Sequence, residues 1–458
     1  MAQQIIDTVG NTDTIKSGGD KINANFTELY SKIGAQYGYA ELDANGEVVQ
    51  FQASLRQAIG NIMSPLVHIP FKRQDDEVAL SGLQTFTRAS TATYVDPLDG
   101  LVKTAAIDTP RFERMSDGET GILLEGASTN LMLDSEAFNS GQWTVSATTI
   151  TGNATVAPDS TTTADLIVGD TTNAYHRVFQ YATVPANTDI TISRYVKAAG
   201  YNWFALNAAG VSNGWIWFDL LNGTVGSIGS AVKNYGITPL TNGWYRVWLA
   251  VNTGALAGVG NDGWFCPADF VNTYIGDGTS GGYVWGAQLE ALPFASSYIP
   301  TTTAAVTRAA DSLSIGAYGN KPMRTNSMTY VCDADLIGND PTTNQYVFNV
   351  VGGNQDSIHI ETTLAVSSYW GGNWNHGNPN DISPTQTNRL ALISDGSVFH
   401  TAINGTANNS SMSIGGGSVT ESTIIIGASG ATNGKLYGHI RNFRIYDRAL
   451  TPEEIAMA

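Results

Sequence analysis

The chain has 458 residues, 42% of them hydrophobic, which is long enough for about three domains with sizeable cores. Only 14% are charged, below the roughly one quarter usual in soluble domains, and 49 glycines help fill the difference, so turn-rich β structure is favoured over helix. A formal net charge of −17 without a basic stripe argues against nucleic acid as a partner, and no run of about 18 apolar residues is present for membrane insertion.

Met1 to Ile15 has neither a basic region nor an apolar stretch, so no secretory leader is expected. The next segment, Ser17 to Ile33, predicts a helix. Ser17 and Asp20 have capping-box spacing, and Ile22, Phe26, Leu29 and Ile33 form an a/d seam of period 3.5. A helix this short needs a partner, either other copies of the chain along the seam or its own chain. Asn45-Gly46 predicts a hairpin, and Phe51, Leu55, Ala58 and Ile62 predict a second amphipathic helix stopped by Pro65 and Pro70.

From about Thr85 the pattern is strands and turns. Ile190 to Tyr195, Trp215 to Leu220, Tyr245 to Val251 and Tyr283 to Leu289 are β-branched or aromatic runs between turn residues. Small polar residues, Thr301 to Asp311, predict a connection between modules. A second β region follows, ending in a short helix capped by Thr451 with Pro452 at its first position. The expected fold class is therefore mainly β: a helical trimerising stalk over residues 1–70, then two β-sandwiches over 71–310 and 311–458. Two cysteines, Cys266 and Cys332, are no disulfide framework and fit synthesis in a reducing cytoplasm.

Three segments carry resemblances. Gly19 to Tyr30 (GDKINANFTELY) resembles the N-terminal motif of bacteriophage tail-fibre and other virion-fibre proteins. Phe86 to Tyr94, Pro110-Arg111-Phe112, Leu123 to Leu131, Trp285 to Glu290 and Ser297 to Thr302 are together similar to a phage structural module that looks like a carbohydrate-binding jelly roll. Gly438 to Leu450 with Pro452 to Ile455 looks like the end of a concanavalin-like, laminin-G-like sandwich, in which Arg441, Tyr446 and Leu450 are mainly structural. These resemblances imply a homotrimeric virion fibre or spike, made in the bacterial host's cytoplasm. Its stalk would attach to other virion proteins, and its lectin-like sandwiches would meet host surface polysaccharide. The alternative is a head fibre or capsid-decorating connector with a purely structural role. The jelly-roll resemblance also places calcium ligands at Glu125, Asn130 and Glu290, an ion that would be structural and is not required.

Candidate chemistry is sparse. Gly278 to Gly282 fits G-x-S-x-G, but a strand follows where a nucleophile elbow needs a helix, so it reads as a turn and no enzyme is expected. The six histidines have no metalloprotease spacing. Sugar recognition needs flat aromatic faces rimmed by amides and carboxylates. Ser367 to Asn380 (SSYWGGNWNHGNPN) offers Tyr369, Trp370, Trp374 and His376 as the glycan-binding candidates, if the rings point outward rather than inward or onto a neighbouring subunit. Trp203, Trp215, Trp217 and Trp264 form a second cluster, expected to pack in a core or subunit interface.

Overall fold

Alternation along the strands builds two stacked pairs of sheets, one inside the other in sequence. The computed structural model describes residues 65–71, 84–316, 325, 327–351, 356–370, 372–384, 386–408, 411–414, 423–430 and 434–458. The expected stalk helices, hairpin and seam of Ile22, Phe26, Leu29 and Ile33 lie outside these residues.

The outer sandwich faces a nine-stranded sheet against a seven-stranded one among the described residues. At the middle of the nine-stranded sheet, Ser327–Leu336 pairs antiparallel with Asn388–Asp395 on one side and Gly438–Tyr446 on the other. In the seven-stranded sheet the order is Gln84–Thr87, Ser312–Ile315, Thr423–Ile426, Gln345–Val351, Asp356–Ile360, Val366–Trp370 and Asn373–Asn375. Between them lies one apolar core that includes Tyr330, Phe348, Ile358, Leu392, Phe399 and Phe443. The terminal helix Pro452–Met457 starts at a Thr451–Glu454 capping box and tucks Ile455 beside Val331, Ala391 and Tyr446.

The inserted sandwich has two six-stranded sheets spanning Thr144–Ser146 to Gly281–Glu290. Its separate core includes Ile190, Ile192, Phe218, Leu249 and Leu289, from the strands legible in the sequence, and Phe204 from strand Trp203–Ala209. Pairing departs from the expected boundaries. Val67–Ile69 pairs with Gly438–Tyr446, so the end of the expected stalk is sheet. Gln84–Thr87 pairs with Ser312–Ile315, and Thr120–Leu124 pairs with Gly438–Tyr446. Thus the strands Val67–Ile69, Gln84–Thr87, Arg111–Arg114 and Thr120–Leu124, expected in the stalk and jelly roll, complete the C-terminal sandwich, whereas Ala92–Val95 and Val102–Ala105 pair with each other, and the jelly roll is an insertion into the sandwich. Three to five residues make a strand but do not say which sheet takes it; here that is decided by edges formed hundreds of residues later.

The two connections of the insertion run together, Ser128–Asn130 pairing with Val306–Arg308. Beside them lies a buried ionic network. Arg111 donates to Glu125 Oε2 at 2.7 Å, to Asp311 Oδ2 at 2.6 Å and to the Ser297 hydroxyl at 2.8 Å. Arg88 reaches Asp311 Oδ1 at 3.2 Å, and the Ser297 backbone N–H donates to Glu125 Oε1 at 2.8 Å.

Candidate functional site

Two cross-strand rows build the candidate site on the side of the seven-stranded sheet away from the core. Residues two apart on a strand share a face. Ile358 and Ile360 enter the core, so Ser357 and His359 turn outward; Val366 and Trp370 enter it, so Ser367 and Tyr369 turn outward. Antiparallel register then aligns Tyr346, His359 and Ser367 in one row, and Ser357, Tyr369 and Trp374 in the next.

The rings meet closely. Trp374, 43% exposed on the edge strand, stands edge-on to Tyr369 at 4.8 Å and to His359 at 5.1 Å. Its indole is nearly parallel to His376, with centroids 6.0 Å apart and planes 9° off. Tyr346 stacks on His359 at 5.0 Å. At the rim, Glu361 accepts from the Ser367 hydroxyl at 2.6 Å and lies 2.8 Å from His376 Nδ1. Burial pushes the Glu361 carboxyl up, but the Ser367 hydroxyl and His376 outweigh it and hold the group below its ordinary value. Neither row contains Lys or Arg. A partly exposed indole beside imidazole and carboxylate groups suits a polyhydroxyl ligand with an apolar C–H face.

Of the four residues expected to bind glycan, this surface brings together Tyr369, Trp374 and His376. Trp370 is a correction: it is fully buried in the core, facing Tyr330 and Phe399. Its strand alternates, so neighbours in sequence point to opposite faces. His359, Tyr346 and Glu361 were not singled out from the sequence. The signal was present in Ser357 to Thr362 (SIHIET), where period 2 puts His359 and Glu361 opposite Ile358 and Ile360.

The expected calcium ligands do not form a cation site. The Glu125 oxygens accept from Arg111 and Ser297, with Arg308 3.5 Å away. Asn130 spends its amide on the Ala287 and Ile299 carbonyls and its oxygen on the Met132 and Leu289 N–H groups. Glu290 accepts from Ser128, Ser296 and Gln288. These oxygens are turned to protein donors, and guanidinium groups at Glu125 oppose a second cation.

In the inserted sandwich, Trp217 and Trp264 are buried, and both indole N–H groups donate to the Val271 carbonyl. Trp203 and Trp215 pack with them. Ser280 sits in a turn in which Asp277 accepts from its N–H and hydroxyl, ahead of strand Gly281–Glu290.

Residues 295–456 match the family model of the concanavalin A-like lectin/glucanases superfamily. No curated protein sequence matches the chain. Similar solved structures include domain 4 of an extracellular arabinanase from Geobacillus stearothermophilus in complex with arabinotriose. It is 18% identical over 35% of this chain and 79% of that one, with a TM-score of 0.26. Another is the botulinum neurotoxin serotype D ligand-binding domain in complex with N-acetylneuraminic acid, 15% identical over 32% of this chain and 39% of that one, with a TM-score of 0.24. The chain therefore spans about two fifths of the neurotoxin chain it matches.

Proposed function

We propose that this protein is a non-enzymatic glycan-binding protein whose saccharide lies on the outer face of the seven-stranded sheet. The observation that carries this reading is Trp374: a large indole 43% exposed, flanked by Tyr369 and His376 and set beside the Glu361 carboxylate. A sandwich core has no need of that exposure, and an exposed aromatic cluster marks a contact surface. The resemblances of residues 19–30 and 86–131 to phage proteins support placing this activity in a homotrimeric virion fibre or spike. There the stalk would hold other virion proteins, and three weak sites would act together on host polysaccharide. One observation favours the structural alternative, a head fibre or decorating connector: motif residues such as Arg88, Arg111 and Glu125 are buried structural groups.

The test is binding of labelled full-length protein to host cells before and after enzymatic removal of surface polysaccharide. Saturable binding lost with the polysaccharide, and weakened at least about tenfold by Trp374→Ala, is expected. Equal binding by the parent and W374A proteins would refute this site, and no parent binding in either case would favour the structural alternative.

A further inference from the structure

The imidazole of His359 has an environment that packing alone does not explain. The residue is fully buried, yet neither ring nitrogen has a hydrogen-bond partner among the described residues. A buried polar group without a partner costs about 1–3 kcal/mol and calls for a cause such as a functional role or a water. His359 does not face the sandwich core. It lies in the outer row, under the edge of Trp374 and against the face of Tyr346. The strand carrying Trp374 is only Asn373–Asn375, and Gly372 beside it has φ +98°, a left-handed backbone suited to glycine. The half-exposed indole of Trp374 is thus one of two rings packed against the imidazole.

We propose that His359 is a ligand-contacting group of the same site, hydrogen-bonding saccharide hydroxyls once the Trp374 ring moves aside. This rests on the glycan-binding reading above. Burial lowers His359 to about 4, with Glu361 opposing and His376 reinforcing the shift, so the ring is neutral near pH 7. A neutral imidazole offers one donor and one acceptor. Hydroxyls both donate and accept and satisfy both nitrogens. A phosphodiester or an ionised carboxylate has no proton to donate to the acceptor nitrogen, and an anion would meet Glu361 at the rim. The ligand class is therefore a neutral, hydroxyl-rich sugar unit.

The experiment compares full-length parent, His359→Phe and Trp374→Ala proteins on an array of bacterial surface polysaccharides. The H359F protein is expected to melt no lower than the parent, because an unsatisfied polar ring is replaced by an apolar one, and to lose at least tenfold in binding. Loss in W374A with full binding in H359F overturns the role of His359 and leaves the glycan site standing. No binding by the parent overturns both. If H359F does not fold, the imidazole NMR signals of parent protein decide. They are expected to shift when an array-positive polysaccharide is added, and unchanged signals overturn the proposal.

Discussion

Replacing Arg111 with alanine tests whether the sandwiches are locked by the ionic network between them. Arg111 is fully buried, and its guanidinium serves Glu125, Asp311, Ser297 and the Thr93 carbonyl. Removing it leaves Glu125 and Asp311 with less compensation in a dry site. Breaking a buried pair from one side costs about 3–5 kcal/mol. For a cooperative unit spanning residues 65–458, with about 2 cal/mol/K of unfolding entropy per residue, the melting temperature falls by about 4–6 °C. If the outer sandwich unfolds separately, the fall is larger. Differential scanning calorimetry of R111A against the parent measures it. The variant carrying Glu125→Gln as well should recover part of the loss, because a buried charge goes with its partner, giving a coupling of about 1–3 kcal/mol. The acid limb follows too. Burial raises the Glu125 carboxyl, but Arg308, Arg111 and Ser297 outweigh it and hold it at about 2, below its ordinary 4.5. Its contribution is present above pH 4.5 and is lost as pH falls through 2. A shift under about 1 °C in R111A would refute the argument.

Trp370→Ala should lose about 3–5 kcal/mol from the core, whereas Trp374→Ala should lose less than about 1 kcal/mol; equal melting temperatures would contradict the assignment of faces. Burial lowers His439, but Asp335 at 2.7 Å and Glu113 outweigh it and raise the group to about 10 from 6.5. Its contribution is full below pH 6.5 and lost as pH rises through 10, so His439→Gln should flatten the alkaline fall of the melting temperature; parallel pH curves would dismiss it. A fragment of residues 311–458 lacks the strands Val67–Ile69, Gln84–Thr87, Arg111–Arg114 and Thr120–Leu124, leaving Gly438–Tyr446 with an open edge. Gel filtration should show it aggregated, while residues 126–310 melt cooperatively alone; a soluble, folded 311–458 monomer would count against the split sandwich.

Local pattern was readable where one element decides its own fate. Ile190 to Tyr195 falls within strand Asp189–Ala199, and Thr451-Pro452 starts the last helix as its capping residues require. What local pattern cannot carry is the identity of a distant partner. Gln84–Thr87 has a strand composition that would fit either sandwich, and only Ser312–Ile315, formed after the whole insertion, selects one. The site was half legible for a related reason. Gly371-Gly372 and the asparagines around it make Tyr369 to His376 read as a loop, which hides the alternation that separates Trp370 from Tyr369. His359 lies in the second β region, on strand Asp356–Ile360, but its surroundings depend on rings brought from Tyr346 and Trp374.

The segments that carry the jelly-roll resemblance supply a joint. Arg88, Arg111, Glu125, Asn130, Glu290, Ser297 and Asp311 come from both sides of the insertion and are buried around its two connections. A domain held by two adjacent strands could otherwise rotate about them, and apolar contact alone, being non-directional, would resist this weakly. Charged hydrogen bonds are directional, and a guanidinium gripping Glu125 and Asp311 at once admits few geometries. Buried ion pairs are weak contributors to net stability compared with apolar packing, whereas breaking one from a single side is costly. The joint depends on a fixed set of residues: Arg88 and Asp311 flank strands Gln84–Thr87 and Ser312–Ile315 at one edge of the seven-stranded sheet, and Trp374 lies on Asn373–Asn375 at the opposite edge.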